Sequence, residues 1–322
     1  MKFLGKIKKN VSSSRPATYM VQRSKRTHLP GFGGVPLFDV IKFFFQQVKT
    51  VGMTERASSI AFNFVMAIPP MIIFFFTLIP LMPISNQFEQ ELYNLIRSVV
   101  PGEKDHAELI HFLEDFINNP RNDLLSLGFI LSIFFSSNAV MGVMRSFDKN
   151  YIGFKKRTDL QKRVAAIKIT FVLIFFVIVA VLLLVAQGRI LTWLGIENPF
   201  VRGGIENLRW VFIVLMLFAC ISYIYRHAPA VHKKWRMMSP GSVLATVMML
   251  LFSIGFSWWV SRFGNFNELY GSIGTVMIIM ALIFINSLVL LIGFELNVSI
   301  NSLRKIADER KEKQMEGGAS TV

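Results

Sequence analysis

The side chains of this 322-residue chain that could do chemistry are those standing in apolar company. Glu295 interrupts LLIGFELN, Asn63 precedes Pro69 and Pro70 in AFNFVMAIPP, Ser137 and Asn138 lie in FFSSNAVMG, and Asn286 lies in FINSLVLLI. Polar groups at bilayer depth are costly unless they are paired or face a cavity. Two uses follow. Asn63, Ser137, Asn138 and Asn286 glue helices together through hydrogen bonds, or with Pro69 and Pro70 they line a substrate path. Proline removes an internal hydrogen bond, so a kinked or broken helix is expected at Pro69-Pro70, of the kind that surrounds transporter sites. At ~1.5 Å per residue Glu295 lies roughly 37 Å from Tyr270, near one membrane face and not at the midplane. Its expected partners are Arg56 or Arg145, giving either a structural ion pair or a gate. At the other face Arg262, Asn267, Glu268 and Tyr270 gather in SRFGNFNELYG, as a turn held by local bonds or as a site for a polar headgroup.

Enzyme chemistry finds less to work with. The histidines His28, His106, His111, His227 and His232 fall on both sides of the expected membrane, and neither close pair has the spacing that puts two ligands on one helix face. No GxSxG elbow, phosphate-binding GxxxxGK[ST] loop or GxGxxG turn between strand and helix is present. No catalytic residue, metal or cofactor is therefore expected, and no nucleotide drives any transport.

The elements that must carry these residues are apolar helices. With 53% hydrophobic residues the chain has more apolar surface than a soluble domain of this size can hide. The expected architecture is all-α, a polytopic six-span bundle, with spans about 57–82, 124–144, 165–186, 208–225, 242–263 and 270–296. Residues 1–34 read as a loose basic cytosolic tail, 35–301 as the membrane domain and 302–322 as a charged cytosolic tail, an exposed helix fraying into disorder. Between them, Val40, Ile41, Phe44, Phe45 and Val48 recur at helical spacing opposite Lys42, Gln46 and Lys49, the pattern of an amphipathic helix that lies on the inner leaflet or packs under the bundle. Two amphipathic stretches in 84–123 are expected to form an outer helical cap. Gly195, Pro199, Gly203 and Gly204 mark an outer loop, and Gly271, Ser272 and Gly274 give the last span a small-residue face that permits a homo-oligomer.

The formal net charge of +15 is placed, not spread. Of the 35 Lys and Arg residues, 28 fall in the segments assigned to the cytosol, and 11 of the 20 acids fall on the opposite side. This is the positive-inside pattern, with both termini cytosolic, and it calls for membrane lipids as partners and no nucleic acid. The single cysteine, Cys220, sits inside a span and admits no internal disulfide.

Five stretches in order, RASSIAFNFVMAIPPMIIF, FDKNYIGFKKR, APAVHKKWRMMSPGSVLAT, SRFGNFNELYGSIG and GFELN, resemble the signature regions of the YihY/BrkB family of bacterial inner-membrane proteins, once labelled ribonuclease BN. The resemblance spans roughly Val51 to Asn301. It implies a multi-pass protein of the bacterial cytoplasmic membrane, and the old label implies an RNA-cutting activity for which the sequence names no residue. The expected function is a carrier or flippase of an amphiphilic envelope lipid or lipid-linked substrate. The alternative is a non-transporting envelope-integrity scaffold.

Overall fold

A computed structural model describes residues 22–25, 27, 31–32, 34–50, 52–78, 122–148, 151, 154, 157–193, 199–231, 234–263 and 272–319, with isolated positions between 90 and 115. The expected outer cap 84–123 and the turn 264–271 therefore lie almost wholly outside the described residues.

The described chain is helical: α1 (Leu37–Thr50), α2 (Met53–Leu78), α3 (Asn122–Phe147), α4 (Asp159–Trp193), α5 (Pro199–His227), α6 (Pro240–Phe263) and α7 (Ser272–Ala319). Among the described residues extended backbone pairs only in one isolated antiparallel bridge, Phe154 to Val231. Five helices contain windows long and apolar enough to cross a membrane: Ile130–Phe147, Asp159–Val181, Trp210–His227, Pro240–Arg262 and Val276–Arg310. In hydrocarbon a helix satisfies all its internal backbone groups, which is why apolar runs of this length take this form.

Several boundaries differ from the sequence reading. The last helix continues to Ala319, beyond the span and through the charged tail; its Lys, Arg and Glu residues are good helix formers, and a preformed helix propagates more easily than a new one nucleates. In place of an outer loop up to residue 207, α5 begins at Pro199. Proline suits a first helical position, where its missing N–H would have no partner. Helix α2 runs unbroken through Pro69 and Pro70. The break expected there does not occur, since neighbouring turns can re-satisfy the few backbone groups that two prolines free. Phe32, in the supposed loose tail, and Val35, just after it, are buried with Val40 and Ile300. The approach needs Gly31, whose φ of 91° and contact with Pro240 exclude a side chain.

The helices close a circuit. Helix α2 packs on α3, α3 on α4, α4 on α5, α5 on α6, α6 on α7 and α7 back on α2, while α1 lies on α7. The core occupies one end of this ring, the end rich in basic residues. Ala57 and Ile60, Val140 to Phe147, Ala166 and Ile169, Ile221 and Tyr225, Ala245, and Val289 to Val298 supply it from all six helices. Toward the other end burial is sparse among the described residues of four helices. None of residues 171–181, 210–220, 247–262 or 276–286 is buried. Lipid is as apolar as leucine and gives helices no hydrophobic reason to close there.

Candidate functional site

The basic end is shut by a buried ion pair and an aromatic floor. Arg56, in the first turns of α2, places Nη1 2.6 Å from Glu295 Oε1 on α7. Arg56 is 7% exposed and Glu295 0%. The hydroxyl of Tyr151, from the α3–α4 loop, donates to the same Oε1 at 2.6 Å. Arg56 Nη2 donates to the backbone carbonyl of Ser146 at the end of α3. One guanidinium thus ties α2 to α7 and to α3, which its planar fork of donors permits and a lysine ammonium would not match. Breaking such a pair from one side costs ~3–5 kcal/mol, because the remaining charge stays buried without a counter-ion. Burial, and then the neighbouring Glu295 charge, push the Tyr151 phenol above its ordinary range, so it remains a donor.

Next to the pair, Phe294 stacks face to face on Phe147, with centroids 3.8 Å apart. Phe154, Trp235 and Tyr225 ring Phe294 at 5.6 to 6.4 Å. The adjacency of Phe294 to Glu295 and of Phe147 to Ser146 makes floor and ion pair one unit. Tyr225, fully buried, donates to the Leu290 carbonyl at 2.6 Å. Below, the two loops are pinned together: Arg157 donates to the carbonyls of Ala228 and Pro229 at 2.9 and 3.3 Å. Asn297 clamps the start of α6, accepting from the Gly241 amide at 2.9 Å and donating to Ser239 Oγ at 2.9 Å.

The other sequence-selected residues are distributed around the ring. Arg145 is exposed and is not the partner of Glu295. Asn63 donates to the Ser59 carbonyl at 2.7 Å and lies against Gly142 on α3, where a methyl group would come within about 3.0 Å of its amide. Ser137, fully buried, donates to the Phe134 carbonyl. Asn138 accepts a hydrogen bond from Arg163 on α4, whose guanidinium also covers the Phe134 ring at 4.5 Å. Asn286 faces Ser253 on α6 at 3.4 to 3.5 Å. Pro69 is exposed and Pro70 half-buried on α2, and Arg262 is exposed at the end of α6. Asn267, Glu268 and Tyr270 lie outside the described residues.

Sequence reasoning missed Tyr151, Asn297, Arg163 and Tyr225. The first two had signals available, an aromatic inside a charged loop and an amide directly after FEL; only long-range packing assigns their partners. Among the described residues no group of three His, Cys, Asp or Glu side chains is placed to hold a metal ion.

The family model for virulence factor BrkB matches residues 44–318. The chain belongs to the BrkB family. Within it, the chain is 28% identical over 260 residues to the putative ribonuclease-like protein YfkH of Bacillus subtilis, covering 79% of this chain and 92% of YfkH. It is 23% identical over 258 residues to a UPF0761 membrane protein of Stenotrophomonas maltophilia, covering 78% of this chain and 58% of that protein. To a UPF0761 membrane protein of Xanthomonas campestris it is 22% identical over 272 residues, with 82% and 61% covered. The chain thus spans about three fifths of the UPF0761 proteins it matches. No solved structure matches it. This BrkB-family chain is a helical multi-pass membrane protein, and the region matched contains Arg56, Tyr151 and Glu295 alike.

Proposed function

We propose that the protein is a carrier or flippase for an amphiphile, an envelope lipid or lipid-linked precursor, in a bacterial cytoplasmic membrane. In this reading α2 is the sixth span, α1 lies in the inner leaflet with Ile41 and Phe45 in lipid, and the basic end with both termini faces the cytosol. One observation carries it: the core gathers at one end of the ring of helices, while none of residues 171–181, 210–220, 247–262 or 276–286 is buried. A protein that alternates access needs a closure that can be made and broken, and an ion pair beside a stacked aromatic floor supplies one. The open half offers apolar helix faces suited to acyl chains, with Asn63, Asn138 and Asn286 at the depth where burial begins.

The ribonuclease-like name belongs to YfkH and is not carried over, since hydrolysis of RNA needs an activated nucleophile and the described residues assemble none.

The test is reconstitution into liposomes with fluorescent headgroup-labelled phospholipids, read by quencher accessibility from outside. A carrier speeds exchange between leaflets over protein-free vesicles, and Asn63→Leu with Asn286→Leu slows it in protein of unchanged melting temperature. If no lipid of a panel spanning neutral, anionic and polyprenyl carriers moves faster, the carrier reading is wrong. The scaffold alternative is favoured by one observation, that Asn63, Asn138 and Asn286 all have hydrogen-bond partners and so can serve as helix glue. It predicts retained function in the double variant.

A further inference from the structure

The closure at the basic end leaves one acceptor unspent. Glu295 Oε1 accepts from both Arg56 and Tyr151, while Oε2 is buried and has no partner, and Arg56 Nε is buried without one too. A carboxylate oxygen shut away from water and from every donor is the place in this site where a proton can add without displacing a bond. We infer that Glu295 Oε2 is a proton-binding site and that its occupancy unlatches the basic end.

The charge balance is simple. With Glu295 ionised the pair is neutral. A proton taken from water makes Glu295 a carboxylic acid and leaves the site at +1, carried by Arg56 alone. The described groups that touch the pair are polar or aromatic and carry no compensating charge. From α3 Arg56 meets the Ser146 carbonyl, from the α3–α4 loop Tyr151, which burial keeps as a neutral phenol, and from α5 the packed group is Tyr225, also a phenol. Helix α6 meets α7 here through Gly241 and Ala245 against Gly293, with Asn297 and Ser239 as the polar groups. Of the described loop charges, Asp148 pairs with Lys162 at 2.7 Å and Arg157 donates to two backbone carbonyls. Among the described residues no second carboxylate bonds Arg56. An uncompensated buried guanidinium is driven toward water. Its departure releases α2 from α7 and α3 together, and with them the stack of Phe147 on Phe294.

This assigns a coupling ion to the carrier reading and depends on that reading only for its purpose. The experiment is amide hydrogen exchange, read by mass spectrometry on the full chain in lipid nanodiscs between pH 8 and pH 5.5, corrected for the intrinsic pH dependence of exchange. Opening of 53–61 and 287–300 is expected to rise as pH falls, because in this proposal the opened state holds a proton that the closed pair does not. Glu295→Gln, which mimics the protonated acid, is expected to be open and flat with pH. Arg56→Gln with Glu295→Gln, which removes both charges, is expected to be closed and flat. Wild-type exchange that does not change with pH, or a double variant that still follows pH as wild type does, overturns the proposal. Neither result touches lipid movement, so failure here and failure of the carrier reading are separable.

Discussion

At the scale of single residues, the buried pair makes the sharpest demands. Arg56→Gln is expected to destabilise the protein by ~3–5 kcal/mol, and Arg56→Gln with Glu295→Gln to recover most of that loss, because a neutral pair leaves no stranded charge. Thermal unfolding of the detergent-solubilised protein, followed by tryptophan fluorescence, measures both. Arg145→Gln, at an exposed position, should change little. Tyr151→Phe removes a hydrogen bond to a carboxylate and should cost ~1.5–3 kcal/mol. The sign of its pH dependence follows from the raised phenol. Its contribution is fully present below the ordinary value of 10.0 and is lost as pH climbs through the higher folded value, so the phenol's own ionisation adds no pH dependence in the neutral range. A phenolate absorbance titration that shows Tyr151 ionising at an ordinary value would contradict the buried bond. That Glu295 needs a basic partner, Arg56 or Arg145, was legible in the sequence because an acid inside an apolar run must find a cation; Tyr151 was not, because nothing local ties a loop tyrosine to a residue 144 positions away.

At the scale of elements, α6 and α7 meet through glycine. A Cβ built on Gly241 would lie 2.0 Å from the Gly293 carbonyl oxygen, and one on Gly293 would lie 2.5 Å from the Gly241 oxygen and from the Tyr225 hydroxyl. Gly241→Ala or Gly293→Ala is therefore expected to cost ~1–3 kcal/mol or more through backbone displacement. Gly255, on the same helix where α6 is unburied, meets nothing within 4 Å. Gly255→Ala should be neutral or stabilising by up to ~1 kcal/mol, since alanine is the better helix former. Melting temperatures of the three variants test the contrast directly, and equal effects would refute the asymmetry between packed and open ends. The same asymmetry explains why the spans were legible and their contacts were not. Apolar length alone defines a membrane helix, whereas the tight crossing at Gly241 and Gly293 depends on which faces meet.

At the scale of the whole molecule, the placement of 28 of 35 basic residues on one side predicts orientation. With Cys220→Ser as background, a cysteine at Arg310 should react with an impermeant maleimide in inverted membrane vesicles and not in intact cells; reaction in intact cells would reverse the assigned topology. The sequence by itself determined the helical class, five of the six expected apolar spans, the charge asymmetry and the family, because each of these is written in local composition, in hydrogen bonds a helix satisfies internally, and in ordered motifs. It also singled out Glu295, because a charge in hydrocarbon announces itself by its cost. Only the tertiary structure decided that Arg56 and not Arg145 answers that charge, that α2 continues through its two prolines, and that the core gathers at one end of the ring. Those outcomes depend on side chains far apart in sequence meeting in space, which no periodicity or charge count encodes.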